Sequence, residues 1–166
     1  MDGINLSDPL SRENKIRFLG SSSCTLSDDG RIVLPQKFRD QLKRIPPYYL
    51  CPGFQEGCLW LVPEVVFFPL LDDIKSKIEA TDQNGQDFLR MVASNAEEIS
   101  QLGNVGRLVI SPRLRKWAGL EDPKTPVEVI GMVDRIEIWN QKLRREREAG
   151  LNMGQLSRQV NERYKL

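Results

Sequence analysis

Short apolar runs separated by polar turns dominate the chain and predict strands rather than long helices. Ile32-Val33-Leu34 and Leu108-Val109-Ile110 are two such runs, and each follows a polar segment that contains a glycine. Apolar runs of this length, rich in β-branched residues, are typical of buried strands, and the glycines supply the positive φ angle of a turn. Further apolar runs predict two hairpins, formed by residues 48–51 with 58–62 and by residues 127–130 with 135–139.

Apolar residues at helical spacing follow both three-residue runs. Phe38, Leu42 and Ile45 recur at i, i+4 and i+7, which predicts a buried stripe on a short helix. Pro35 is well placed to open that helix. The equivalent helix of the second half is predicted from Ser111-Pro112, Leu114, Trp117, Ala118 and Gly119.

The chain divides into five segments by composition. We expect a disordered extension at residues 1–14, a first unit at 15–62, linking helices at 63–100, a second unit at 101–145 and a basic tail at 146–166. The linking helices are predicted at residues 63–80 and 86–100, around a loop at 82–85. Pro69 is expected to break or kink the first of them, and the tail is expected to be a short helix that frays.

The two units are related by an internal repeat. Residues 30–39 match residues 106–115 at an offset of 76, as glycine, arginine, three apolar residues, a proline and a basic-apolar-arginine triplet. A second match, at an offset of 78, relates residues 58–61 to 136–139. The repeat indicates a duplicated unit of strand, turn, strand, short helix and hairpin. Because a unit of about 50 residues buries little apolar surface, we expect the two units to pack on each other.

Charge is distributed unevenly, although the chain of 166 residues carries a formal net charge of only +1. Residues 12–45 hold eight basic and four acidic side chains, and residues 101–119 hold four basic side chains and no acidic one. Residues 63–100 between them hold three basic and eight acidic side chains. Two basic segments around an acidic one can create positive faces that attract nucleic acid.

The composition disfavours an enzyme and a metal protein. The chain has no histidine, which removes histidine acid–base chemistry and histidine metal sites. Cys24, Cys51 and Cys58 lack metal-site spacing and are expected to be reduced and buried, with a Cys51–Cys58 bridge as the less favoured alternative. Asp72 and Asp73 are expected on a solvated helix face. We expect no cofactor, no small-molecule substrate, no membrane span and a cytoplasmic location.

The repeated residues resemble a known family. They are Phe18, Gly20, Leu26, Gly30-Arg31, Leu34-Pro35, Lys37-Phe38-Arg39 and Cys58-Leu59 in the first half, and Gly106-Arg107, Ser111-Pro112, Leu114-Arg115, Ala118-Gly119-Leu120, Gly131 and Glu137-Ile138-Trp139 in the second. In this order and spacing they resemble the MraZ family over about residues 16–145.

The resemblance implies an α+β fold made of two tandem AbrB-like swapped-hairpin β-barrel units, related by duplication. It also implies a ring-shaped homo-oligomer that associates with the nucleoid. Such a protein regulates transcription by binding double-stranded DNA at direct repeats upstream of a division and cell-wall gene cluster.

Six basic residues are the candidate DNA contacts. Arg31 and Arg107 end the two matching turns, where a guanidinium can bind a phosphate or a guanine edge through two hydrogen bonds; the alternative is an ion pair with a neighbouring subunit. Lys37, Arg39, Arg113 and Arg115 lie at matching positions on the short helices. Arg39 and Arg115 have an equally open alternative, which is to fix each helix to its own sheet or to the next subunit. Trp60 and Trp139 are expected in the core or in a subunit interface.

The sequence departs from the family's turn pattern, which has an acid four residues before each arginine. Ser27 and Gly103 occupy those positions, and Asp28 is the candidate substitute in the first half. The function that this favours is a DNA-binding regulator. The alternative is an oligomeric assembly or scaffold protein that keeps the fold and has lost specific DNA recognition.

Overall fold

A six-stranded antiparallel sheet and a separate two-stranded ribbon organise the chain. The computed structural model describes residues 16–166, so the expected disordered extension at residues 1–14 lies outside the described residues. Within that range the strands are β1 Ser21–Thr25, β2 Arg31–Val33, β3 Tyr48–Pro52, β4 Cys58–Pro63, β5 Glu97–Ile99, β6 Arg107–Val109, β7 Pro126–Gly131 and β8 Ile136–Asn140. The α-helices there are α1 Gln36–Leu42, α2 Glu64–Lys77, α3 Gln83–Ser94, α4 Pro112–Ala118, α5 Gln141–Ala149 and α6 Met153–Tyr164.

The large sheet has a symmetric strand order. Exchanging β1 with β5, β3 with β7 and β4 with β8 gives the same order read from the other edge. The order is β1-β7-β8-β4-β3-β5, and β2 pairs with β6 in the ribbon. The hairpin of β3 and β4 therefore takes its third strand, β5, from the second half of the chain, and the hairpin of β7 and β8 takes β1 from the first half. The two hairpins join where β4 pairs with β8.

The predicted α+β class is confirmed, but the predicted barrels are not. Residues 16–166 form one open sheet and one ribbon, with no closed barrel among them. The reason is the pairing of β4 with β8, which places the hairpins of both halves side by side in a continuous sheet.

The main core lies between one face of this sheet and the ribbon. Because neighbouring strand residues point to opposite faces, Leu59 and Leu61 of β4 join this core while Cys58, Trp60 and Val62 point away. The ribbon contributes Ile32 and Leu108, and the short helices contribute Phe38, Leu42, Leu114 and Ala118. A second apolar cluster on the opposite face contains Trp60, Trp139 and Phe67 of α2.

Several sequence predictions are confirmed. Both hairpins form, and both short helices begin near the predicted positions. The first ends at Leu42, so Ile45, which was expected on its buried stripe, lies three residues beyond the helix. Trp60 and Trp139 are buried, as expected for core residues. All three cysteines are free, so the alternative of a Cys51–Cys58 bridge is excluded. Cys51 and Cys58 are buried as expected, but the prediction of a buried Cys24 is wrong, because it is only partly buried on β1. Asp72 and Asp73 lie on the exposed side of α2, where Asp73 pairs with Lys77 at 2.7 Å.

The linking segment differs from the prediction at three places. Helix α2 continues through Pro69 without a break, because Phe67 and Leu71 on either side of the proline pack against the sheet, whereas the predicted kink stays a prediction. The predicted loop at 82–85 starts α3 instead, since the Asp82 carboxylate accepts a hydrogen bond from the Gly85 N–H at 3.0 Å. The second predicted helix ends at Ser94, because residues 97–99 pair with β3 as strand β5.

The segment expected to be a fraying tail contains a helix of 12 residues, α6. Asn152 caps it, since the side-chain oxygen of Asn152 accepts a hydrogen bond from the Gln155 N–H at 3.0 Å. The cap lies between two glycines, Gly150 and Gly154, which by themselves disfavour a helix, and it starts α6 at Met153.

Leu61 tests whether the sheet and ribbon depend on the shared core. Leu61→Ala removes a completely buried side chain from a central strand, and we expect it to lower the free energy of unfolding by about 2–5 kcal/mol. Leu19→Ala is the control, because Leu19 is 60% exposed, and should cost under about 0.5 kcal/mol. Urea denaturation at one protein concentration measures both, and equal losses would contradict this assignment of the core.

Candidate nucleic-acid interface

The ribbon of β2 and β6 brings the two candidate turn arginines onto one surface. Arg31 lies opposite Val109, Ile32 opposite Leu108, and Val33 opposite Arg107. Because side chains alternate along each strand, the central Ile32–Leu108 pair points into the core. The other four side chains share the outward face, with the arginines at diagonal corners roughly 7–8 Å apart in backbone position.

Reciprocal hydrogen bonds between the halves hold the ends of this ribbon. The Leu34 N–H donates to the Gly106 carbonyl at 3.0 Å, and the Ile110 N–H donates to the Gly30 carbonyl at 2.9 Å. These two bonds are equivalent under the offset of 76 that relates the halves. Each half therefore fixes the turn of the other half.

Arg31 has a carboxylate partner, although the expected turn acid is replaced by Ser27. Its guanidinium Nη1 lies 3.3 Å from Oδ2 of Asp29. The Ser27 hydroxyl accepts a hydrogen bond from the Arg31 backbone N–H at 2.9 Å and donates one to Asp29. The expected substitute, Asp28, is therefore wrong by one residue. The turn places Asp29, and not Asp28, beside Ser27 and Arg31.

Arg107 is exposed and stands without an acidic partner among residues 16–166. Gly103 contributes only its backbone, since the Gly103 N–H donates to the Arg107 carbonyl at 3.0 Å. The hydrogen bond from Ser27 is the main cause that holds the pKa of Asp29 below its usual value. The positive charges of Arg31 and, to a smaller extent, Arg107 lower the pKa of Asp29 further, so both arginines act on one carboxylate.

Arg39 and Arg115 pack against the turns of the opposite halves. A Cβ atom on Gly106 would overlap the Cδ atom of Arg39, and a Cβ atom on Gly30 would lie 2.9 Å from Cζ of Arg115. Both glycines have positive φ angles, of 73° and 77°, so glycine is required there for conformation and for space. The structure thus favours a supporting position for these two arginines, and their contact with DNA stays a prediction.

Lys37 and Arg113 are exposed on α1 and α4 and do not join the ribbon surface. The Lys37 ammonium lies 5.0 Å from the centre of the Phe38 ring. Arg113 borders a cavity of about 650 Å³ that Leu114, Trp117 and Pro52 also line. Their role as DNA contacts stays a prediction.

Val33 and Val109 are surface residues that the sequence analysis assigned to buried strands. They lie between the two arginines and are about half exposed, at 45% and 54%. The pattern contained this signal, because neighbouring strand residues point to opposite faces. Burial of Ile32 and Leu34 turns Val33 outward, and burial of the residues on either side of Val109 does the same in β6.

Metal-binding groups and membrane-spanning helices were also considered for the described part of the chain. Residues 16–166 contain no group of three cysteine or acidic side chains arranged to hold a metal ion. None of the helices found there has the length and apolarity needed to cross a membrane.

Comparison with known proteins gives a consistent set of relatives. The chain is 36% identical to the transcriptional regulator MraZ of Kineococcus radiotolerans, over 74% of this chain and 80% of that protein. It is 35% identical to the protein of the same name from Nocardioides sp., over 81% and 88%. The identity is 32% to that of Phocaeicola vulgatus, over 77% and 82%. No protein-family model matches the chain.

The contact between Gly106 and Arg39 predicts an energetic coupling between the two halves. Gly106→Ala should destabilise the protein by about 1–2 kcal/mol through its positive φ angle and by more through overlap with Arg39. In the double variant with Arg39→Ala the overlap is absent, so the combined loss should be smaller than the sum of the single losses. Urea denaturation of the four proteins gives this coupling, and additive losses would contradict the contact.

The turn network predicts the titration of Asp29. Ser27→Ala should raise the pKa of Asp29 toward its usual value of 3.8, and should raise it more than Arg31→Ala does, because the hydroxyl is the larger cause. A lowered pKa in the folded state means that the network stabilises the fold above the usual pKa, and that this stability is lost as the pH falls through the lowered value. Carboxyl NMR titration measures the shift. An unchanged pKa in Ser27→Ala would contradict the network.

Proposed function

The chain belongs to the MraZ family of transcriptional regulators, and from that premise we propose that it binds double-stranded DNA through the β2–β6 ribbon. The observation that carries this proposal is the pairing that places Arg31 and Arg107 on one exposed face. We propose that the protein acts in the cytoplasm, at the nucleoid.

The ribbon has the size and chemistry for a DNA groove. A two-stranded β-ribbon fits the major groove of B-form DNA, where arginine can bind both acceptors of a guanine. Val33 and Val109 are suited to contact thymine methyl groups between the two arginines. Because the ribbon is held at both ends by the opposite halves, little backbone ordering is needed on binding.

The proposed architecture is a tandem pair of AbrB-like swapped-hairpin units. The first comprises residues 15–62 and the second residues 101–145, joined by residues 63–100, and the basic segment 146–166 follows. Two observations support it. The strand order is symmetric under exchange of matching strands, and each hairpin takes its third strand from the other half.

We propose further that the protein is a ring-shaped homo-oligomer on direct repeats upstream of a division and cell-wall gene cluster. Identical ribbons repeated around a closed assembly would meet DNA at regular intervals, which direct repeats match. Each contact is small, and joining several raises the overall affinity through effective concentration.

The remaining basic residues fall into two groups. Lys37 and Arg113 are exposed and are proposed to contact phosphates. Arg39 and Arg115 hold the glycine turns behind the ribbon, and their Nε atoms are buried without a hydrogen-bond partner among the described residues. We propose that these guanidinium groups complete their hydrogen bonds when DNA phosphates approach the turns.

The alternative of a scaffold protein without DNA recognition arose from the missing turn acids. The ion pair between Arg31 and Asp29 weakens that argument, since the first turn keeps a carboxylate beside its arginine. The scaffold alternative makes a distinct prediction, because a scaffold protein would form an oligomer that does not bind DNA even at low salt.

Replacing both ribbon arginines tests the proposal. Arg31→Ala/Arg107→Ala should weaken binding to the DNA upstream of the chain's own gene by about tenfold or more, with a shallower dependence of affinity on salt. Arg90→Ala is the matched control, since Arg90 is an exposed arginine on α3 in the acidic segment. Fluorescence anisotropy across a salt series measures affinity and slope together.

Each result separates the alternatives. Unchanged affinity and slope in the double variant would remove the ribbon from the interface. An unmodified protein that is oligomeric by mass and fails to bind this DNA at low salt would favour the scaffold. The variant with lysine at both positions keeps the charge and loses the bidentate fork, so it should keep salt-dependent binding and lose sequence preference.

A further inference from the structure

The C-terminal helix α6 carries an apolar stripe that the described part of the chain leaves largely exposed. Met153, Leu156, Val160 and Tyr164 recur at i, i+3, i+7 and i+11, which places them on one side of the helix. Met153 is 72% exposed and Tyr164 is 63% exposed, and residues 16–166 bury no residue of α6. The opposite side is polar.

Such a helix needs a partner to be stable. Isolated helices shorter than about 12–15 residues are marginal in water, and α6 has 12. The Asn152 cap specifies where the helix begins, and packing of the stripe must supply most of the remaining stability.

Helix α3 occupies the same position after the first hairpin as α6 does after the second, and α3 packs against its own chain. Helices α2 and α3 follow the first hairpin, as α5 and α6 follow the second. Helix α3 buries Val92, and its Phe88 packs on Phe54 with ring centres 4.9 Å apart. Helix α3 is therefore anchored on its own chain, whereas residues 16–166 bury no residue of α6.

A complementary surface lies on the exposed side of α2. Val65, Phe68 and Asp72 recur at i, i+3 and i+7, opposite the buried Phe67. Phe68 is 46% exposed, and Val65 is 66% exposed. Asp72 has no basic partner within the described part of the chain, while its neighbour Asp73 pairs with Lys77. We name Val65, Phe68 and Asp72 the α2 patch.

The two helices have opposite net charges. Helix α6 carries two basic side chains and one acidic one. Helix α2 carries three acidic side chains, among them Asp72 of the α2 patch, and two basic ones. Two copies of α6 facing each other would bring like charges together, so this distribution favours contact between α6 and the α2 segment.

We propose that α6 of one protomer docks its apolar stripe onto the α2 patch of a second copy of this chain. The contact is head-to-tail, because each protomer offers one helix and one patch, and a repeated contact of this kind closes into a ring when the rotation allows. The inference rests on the homo-oligomer of the proposed function and adds the two surfaces that build it. DNA binding by the ribbon is a separate property.

Two variants with exposed substitutions test the docking. Met153→Glu/Val160→Glu disables the stripe, and Val65→Glu/Phe68→Glu disables the α2 patch. Each variant alone should be monomeric by sedimentation velocity at a concentration where the unmodified protein is oligomeric. An equimolar mixture should form a one-to-one dimer and nothing larger, because one stripe and one patch remain intact between the two chains.

Controls keep the result interpretable. Leu19→Glu changes an exposed apolar residue away from both surfaces and should leave the oligomer unchanged. Thermal unfolding checks that each variant folds, and truncation after Gly150 provides a second way to remove the stripe. The truncated chain should be a folded monomer.

Several outcomes would overturn the docking. They are an unmodified protein that stays monomeric at about 100 μM, stripe and patch variants that assemble as the unmodified protein does, and a mixture in which both variants remain monomers. Assembly through another surface would leave the proposed DNA function intact. Loss of DNA binding in the ribbon variants, with normal dimer formation in the mixture, would leave the docking intact and remove the proposed function.

Discussion

The fold depends on an exchange of strands between the two halves of the chain. Among residues 16–166, strand β2 pairs only with β6, and the hydrogen bonds of Leu34 and Ile110 to the opposite glycine turns close that pairing at both ends. Ile32 and Leu108 are buried because the partner strand and both hairpins cover them. A three-residue strand has too few hydrogen bonds and too little apolar surface to be stable alone. Neither half can therefore form its turn without the other.

The same exchange determines the geometry of the candidate interface. It places Arg31 and Arg107 on one face although they lie far apart in sequence, and it puts Arg39 and Arg115 behind the opposite turns. The absence of a Cβ atom at Gly30 and Gly106 lets these arginines approach the turns closely. The surface that we assign to DNA is consequently shared equally by both halves, which is the arrangement expected when a duplicated unit acts as a fused dimer.

Local patterns were sufficient to predict the hairpins, the short helices and the repeat, because those elements are specified by neighbouring residues. The linking segment was predicted less well. Residues 97–99 look helical in composition, and their pairing with β3 depends on a hairpin nearly fifty residues away. Pro69 is tolerated in α2 because the residues around it are packed on the sheet. Asp29 rather than Asp28 meets Arg31 because of the turn conformation, which sequence spacing does not determine. The outward direction of Val33 and Val109, by contrast, follows from the alternation of side chains along a strand, which the sequence pattern contained.

Cleavage of DNA by a reagent attached to the ribbon tests the central claim most directly. A Val109→Cys variant in a Cys24→Ser background carries one exposed thiol, because Cys24 is the partly exposed native cysteine and Cys51 and Cys58 are buried. Desolvation raises the pKa of Cys51 to about 12, and it also raises the pKa of Cys58. Iron-EDTA attached at position 109 should cut bound DNA at one position in each repeat, while the same reagent on an Arg90→Cys variant in the same background should not. Normal DNA binding with no cleavage from position 109 would contradict a ribbon that lies against the duplex.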